Sequence, residues 1–385
     1  MHPRERVLTA LKHEEPDRVP IDIGGVMDLC FTRSAYERMK KYLKQPVEDV
    51  GFSVFWTTAV YPDEKLLESL GVDCRSVYIP DTKPEIQIKQ DGSREYVDVY
   101  GQRRRESRRG YAWDVVDFPL SGDISVKDVE SFHWNVIDMN IFNKLVDKAV
   151  ESAKKLKEET KFAVVANYAC SPMTFTQLLR GFDTWCTDLI DNPNLIEAMM
   201  DCYISSVEES YISFFSRVGK YIDVVFGLGD DVATQNSLFM SIEQYKKYVK
   251  PQHARVIELC RKYTDAPFIY HCCGAMSDMI PDLIEIGVDA INPVQVNSKG
   301  MDTKKLKQEY GKEMTFWGAI DTSHVLPHGI RQDVDEEVKK RVKNMAKNGG
   351  YVAGAVHNIQ PDVPPENVIT MIKAVKNYGR YPLSV

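Results

Sequence analysis

The sequence predicts an α/β protein built as a closed (β/α)8 barrel of the TIM type, with a helical extension ahead of the first strand and a small antiparallel β insertion. Three observations carry this expectation. From about residue 138 the chain repeats strand, loop and helix, an alternation that folds into a parallel sheet with right-handed crossovers. Its apolar strands end one after another in polar side chains, as expected where strand ends share one rim. No Gly-x-Gly-x-x-Gly opens a helix after a first strand, so an open dinucleotide-binding sheet lacks its fingerprint.

The elements follow in order. Residues 4–13 read as a helix, and the turn at 15–20 leads into a first strand near Val19–Ile23, ended by Gly24-Gly25. Helices follow at 34–43 and 63–70, with a weak strand allowed among residues 50–60 to complete seven or eight. Residues 75–119 alternate on both sides of an Asp91-Gly92 turn and read as the antiparallel insertion. Within it, Arg103-Arg104-Arg105-Glu106-Ser107-Arg108-Arg109 is either a solvated hairpin face or a docking patch for an acidic partner or a phosphate-bearing cofactor. Strands are then expected at 161–167, 222–226, 268–271, 289–292, 314–318 and 351–356. The intervening helices start near 172 and cover 193–218, 241–263, 277–286, 302–310 and 333–347, with a last one at 364–378. No linker interrupts residues 1–385, which read as one domain.

Composition bounds the function. The net charge of −7 argues against nucleic acid as the main partner. No apolar run approaches the roughly 18 residues of a membrane span, and Met1-His2-Pro3-Arg4-Glu5-Arg6 leads into an amphipathic helix instead of an apolar signal segment. Eight scattered cysteines in a long chain suggest reduced thiols and a cytoplasmic setting. A homodimer is common enough to expect.

Strand ends locate the chemistry. Read in turn they give Asn167-Tyr168, Asp230-Asp231, His271-Cys272-Cys273, Asn292, Asp321 and His357-Asn358. Residues i and i+2 of a strand share a face, so His271 and Cys273 point together and Cys272 points away. Such a pair is half of a zinc site, and His357 at the end of the last strand is the best third donor. Asp230 or Asp231 would ligate, hold a metal-bound histidine or bind substrate, against the plainer reading of loop capping. Asn167, Asn292, Asp321 and Asn358 stand as substrate contacts on the same rim, with Tyr168 and the two aspartates as the catalytic candidates. Of the other histidines, His2, His13, His133, His253 and His328 read as surface or local-structure residues. Cys273 as a covalent nucleophile is the competing use of the thiol.

These motifs resemble the uroporphyrinogen decarboxylase superfamily, which also holds cobalamin-dependent methyltransferases. The resemblance runs through Arg4–Leu11, Asp17-Arg18-Val19-Pro20, Gly229-Asp230-Asp231, His271-Cys272-Cys273-Gly274, Ile280–Asp289, Gly318-Ala319-Ile320-Asp321 and His357–Asn367. It implies a (β/α)8 barrel. Two departures shape the expected activity. Where true uroporphyrinogen decarboxylases carry arginines for substrate carboxylates, this sequence reads Gly24-Gly25-Val26-Met27-Asp28, and His357 stands where thiol-alkylating relatives carry a second cysteine. Zinc with one thiolate and two histidines keeps a formal charge of about +1, which suits polarising a leaving heteroatom. The resemblance therefore implies methyl transfer from a small methylated ether, amine or thiol to the cobalt of a corrinoid carried by a partner protein. Its rivals are transfer from methylcorrinoid to a thiol or pterin, a metal-free decarboxylase and a non-catalytic ligand-binding barrel.

Overall fold

A computed structural model describes residues 1–108 and 110–384. Seven parallel strands form its central sheet: β1 (Cys74–Tyr78), β2 (Ala163–Cys170), β3 (Val224–Gly229), β4 (Phe268–His271), β5 (Ala290–Asn292), β6 (Thr315–Ile320) and β7 (Tyr351–Ala355). They pair in that order, each with its sequence neighbour. The eighth stave is the segment at residues 20–22. Ile21 bridges Ala353 of β7 in parallel, Ala353 N–H donates to Pro20 O, and Asp73 N–H, just before β1, donates to Ile21 O at 2.9 Å. Pro20 has no N–H to extend this ladder, which keeps the stave short. The barrel is thereby closed as expected.

Two boundaries differ from the sequence expectation. Cys74–Tyr78 is a barrel strand and not part of the antiparallel insertion, which comprises Gln87–Ile88, Arg94–Val97, Arg103–Glu106 and Trp113–Asp117. Arg75 disguises the strand: its guanidinium is buried over the Phe162 ring at 3.5 Å and pairs with Glu64, so a charged letter sits in an apolar place. The segment near 50–60 supplies no barrel strand either. Phe52–Val54 and Ala59–Val60 form a separate antiparallel sheet with Phe31–Thr32. The arginine run is largely neutralised by its own sheet, with Arg103 facing Asp117, Arg104 facing Asp98 and Arg105 facing Glu95. Arg109 lies outside the described residues.

The barrel interior is layered. Val165, Val224, Phe226, Ile269, Ala290, Trp317 and Val352 pack inside it, and Val7 and Leu11 of the helix Pro3–Leu11 plug its lower end. Burying each of these two contributes about 1.5–3 kcal/mol. A larger apolar layer joins the strands to the surrounding helices. Because side chains alternate, the residue two beyond an inward apolar one also points inward. Asn167 follows Val165, His271 follows Ile269 and Asn292 follows Ala290 in this way. Among the described residues no helix is long and apolar enough to cross a membrane.

Two buried carboxylates fasten the closing stave. Asp73 accepts from Arg6 at 2.6 Å, from both Arg18 Nη atoms at 2.8 and 2.9 Å, and from Ile21 N–H at 2.8 Å. Asp22 accepts from Gly25 N–H, Val26 N–H and the Trp317 indole. Gly25 has to be glycine here, because a Cβ would lie 2.4 Å from the Cys74 Cβ. Burial pushes the Asp22 carboxyl up to about 6, against its three hydrogen bonds.

Asp73→Ala strands two guanidiniums and a buried N–H, so it should lower unfolding free energy by about 3–5 kcal/mol in urea denaturation. Asp22 favours its protonated form when folded, so its contribution is fully present below the unfolded value of about 3.9 and lost as pH rises through about 6. Relative to Asp22→Asn, the wild-type chain should therefore gain stability as pH falls between those values, a trend read from paired denaturation curves.

Candidate metal centre and substrate cavity

Strand register brings the rim together. His271 pairs with Gly229 of β3 on one side and Asn292 of β5 on the other. The His271 Nδ1–H donates to Asn292 Oδ1 at 2.8 Å, and the Asn292 amide is turned that way by its own bond to Trp317 O. This fixes the proton on Nδ1 and leaves the Nε2 lone pair free, 3.8 Å from Cys273 Sγ. Past Cys273 the chain must turn sharply. Gly274 takes φ +99°, and a Cβ there would strike the carbonyls of Ala233 and Thr234 at 2.7 and 2.5 Å. Cys272 is fully buried behind the site, its Sγ accepting from Val232 N–H.

His357 arrives from the end of β7, its ring crossing that of His271 edge-on at 5.5 Å between centroids. One donor atom from each of His271, Cys273 and His357 lies within 4.8 Å of the others. Two imidazole nitrogens and a thiol in this spread fit a tetrahedral zinc ion after small side-chain rotations. His357 is held less firmly for that task, because its Nδ1 accepts Asn358 N–H at 2.8 Å, which places the proton on Nε2. Coordination through either nitrogen displaces that bond or that proton. Burial lowers the proton affinity of His357, with Asp28 opposing, so the ring favours its neutral form. Burial, with the Asp231 charge second, pushes the Cys273 thiol well up, so metal uptake would release its proton.

The two aspartates divide sharply. Asp231 faces the site: its Oδ1 accepts Cys273 N–H at 2.6 Å and lies 3.9 Å from His271 Nε2. Asp230 does not. It is fully buried, accepts from Met173 and Thr174 N–H at the start of the helix Pro172–Arg180, and receives His253 Nε2–H at 2.9 Å. Asp230, expected as a catalytic candidate, is a scaffold residue: it does not line the cavity, and both its oxygens are spent on the helix start and His253. His253 is likewise no surface residue but the buried partner of Asp230. Its position was readable, because Val249, Val256, Ile257 and Cys260 place it on the buried face of its helix.

A cavity of about 450 Å³ opens above the donors, lined by His271, His357, Asp231, Asn167 and Tyr168 together with Asp28, Asp81, Trp56 and Tyr61. Asn167 spends its amide on Gly25 O, Ser76 Oγ and Met27 N–H, stitching the loop after the closing stave to β2. The Tyr168 hydroxyl donates to Ser210 Oγ, and burial raises its proton affinity. Asn292, Asp321 and Asn358, expected as substrate contacts, are not on the cavity wall, and Asn292 is fully buried behind His271. Asp321 caps the turn after β6 by accepting from Ser323 and His324 N–H, and Asn358 Oδ1 accepts Cys30 N–H. Asp28, passed over as a site residue, stands 3.3 Å from His271 Nδ1. The same rule that marked the other strand ends would have found it just beyond the closing stave. The cavity's outer wall is the loop at 52–57, held by Phe55 packing on Tyr96 and Trp113 of the insertion.

Comparisons with known proteins agree with this architecture. The family model described as uroporphyrinogen decarboxylase (URO-D) matches residues 123–378. The chain is 24% identical over 177 residues to the methylated-thiol–coenzyme M methyltransferase of Methanosarcina mazei, covering 45% of this chain and 43% of that protein. It is 27% identical over 205 residues to the uroporphyrinogen decarboxylase of Trichlorobacter lovleyi, covering 51% of this chain and 54% of that protein. The chain thus spans about half the length of these curated relatives. A solved methyltransferase from Methanosarcina mazei shares the fold over 98% of this chain and 99% of its own, with a TM-score of 0.64 at 16% identity.

Asp230→Asn weakens two helix-capping bonds and the His253 contact, and should lower unfolding free energy by about 1–3 kcal/mol, measured by urea denaturation.

Proposed function

The chain belongs to the uroporphyrinogen decarboxylase family, and from that premise we propose that it is a zinc-dependent methyltransferase. It moves a methyl group from a small methylated ether, amine or thiol to the cobalt of a corrinoid on a partner protein. The observation that carries this reading is the convergence of His271, Cys273 and His357 at one mouth of the barrel, beneath a cavity sized for a small molecule. These three residues would hold the ion. Bound there, zinc would supply Lewis-acid polarisation of the leaving heteroatom.

The chain's own side chains do the rest. Asn292 keeps the His271 lone pair aimed at the centre. A corrinoid on the partner would supply the nucleophile that accepts the methyl group, and the heteroatom, keeping its bonding pair, would gain charge that this chain's own groups must receive. Asp231, anchored by Cys273 N–H, stands where it would orient that atom or carry its proton, and Asp28 joins it from the opposite side of His271.

The reverse direction, from methylcorrinoid to a thiol, is the second reading; the name of the Methanosarcina mazei relative holds both a methylated thiol and coenzyme M and fits either direction. Against it stands His357 in place of a second thiolate, because one thiolate leaves the ion more electrophilic.

Purified protein is expected to hold one zinc per chain, lost in His271→Ala and Cys273→Ala. Asn292→Ala should weaken zinc binding about 10–100-fold, the usual cost of removing a partner that orients a ligand. Mixing the protein with cob(I)alamin and a panel of methyl ethers, amines and thioethers should bleach the cob(I)alamin spectrum. Zinc-free protein with activity unchanged in both alanine variants would overturn the proposal. Methyl transfer only from methylcorrinoid to thiols would establish the reverse direction.

A further inference from the structure

The cavity wall has a one-sided charge. Among the described residues its lining holds three carboxylates, Asp28, Asp81 and Asp231, and no lysine or arginine. Zinc with one thiolate would bring about +1, so the loaded site stays net negative. Two of these carboxylates stand beside His271, at 3.3 and 3.9 Å from its ring nitrogens. Asp81 belongs to the other wall: it bridges Phe52 in the loop that closes the cavity, and its Oδ2 accepts Phe55 N–H at 2.8 Å. Trp56 and Tyr61 present aromatic rings to the same space. The Trp56 ring already takes one cation, the Arg104 guanidinium at 5.2 Å, while Arg104 itself pairs with Asp98.

We infer that the substrate carries an ammonium group remote from the methyl it gives up, received by Asp81 and the aromatic ring faces. This rests on the methyl-transfer reading above. The methylated heteroatom faces the histidines and Cys273, and the cationic tail points to the wall formed by the loop at 52–57. An ammonium gains on both counts, pairing with a carboxylate in a partly enclosed space and lying against aromatic faces. A carboxylate tail meets like charge instead. Both asymmetries act on the tail and leave the bond-breaking chemistry unchanged.

Three probes of one shape test this: 3-(methylthio)propylamine, 3-(methylthio)propan-1-ol and 3-(methylthio)propanoate, titrated by calorimetry into the full chain with and without zinc at neutral pH. The amine should bind about tenfold tighter than the propanoate, with the alcohol between, from one attraction gained and one repulsion avoided. Added salt should narrow that ratio, and so should Asp81→Asn, whose fold is checked by its denaturation midpoint. Propanoate binding as tight as the amine, or no amine binding at all, overturns the inference. Selective amine binding without methyl transfer to cob(I)alamin would refute the methyl-transfer reading and leave charge selection standing. Equal transfer from all three probes would do the opposite.

Discussion

Closure of the barrel rests on Asp73. A carboxylate with about 1% of its side chain exposed is expensive unless every lone pair is used, and here two guanidiniums and a backbone N–H use them. The same residue's main-chain N–H receives the closing stave through Ile21 O. One position therefore ties the N-terminal helix, the turn at Arg18 and the edge of β1 into a single joint. Without it β7 and β1 are open edges, and the loop carrying Asp28 has no fixed place opposite His271. The candidate donors His271, Cys273 and His357 come from the ends of β4 and β7, which are far apart in sequence, so their meeting depends on a joint at the other end of the barrel.

Within that frame the charge distribution follows from what each group can find. Asp230 is buried and fully partnered, and so belongs to the scaffold. Asp231, one residue on, keeps an oxygen toward the cavity. Burial favours the neutral His357 ring and the protonated Cys273 thiol, so neither offsets the carboxylates that stand beside His271.

Much of this was legible in the sequence, for identifiable reasons. His271 and Cys273 could be paired because the two-residue period of a strand is rigid, and His357 could be added because a closed barrel gathers all strand ends at one mouth. The choice between Asp230 and Asp231 was not legible, since adjacent loop residues have no fixed period and only the contact with His253 separates them. Cys74–Tyr78 was hidden because Arg75 is neutralised by Glu64 and by the Phe162 ring, partners that are distant in sequence or across an element. The tautomer of His271 also depends on Asn292, visible only once β4 and β5 are in register.

The aromatic contact of Phe55 with Tyr96 and Trp113 has a wider meaning. The donors sit on strand ends of the barrel, whereas the facing wall is carried by a loop clamped to a separate four-stranded sheet. The facing wall thus has a support that the donor strands do not share, in addition to its ties to the barrel through Asp81 and Phe31. A sequence change in that sheet can reshape the wall at residues 52–57 from outside the barrel, while Asn167, Tyr168 and Phe226 shape the cavity from the strands themselves. The shape of the cavity is in this sense set from two places, one inside the barrel and one beyond it.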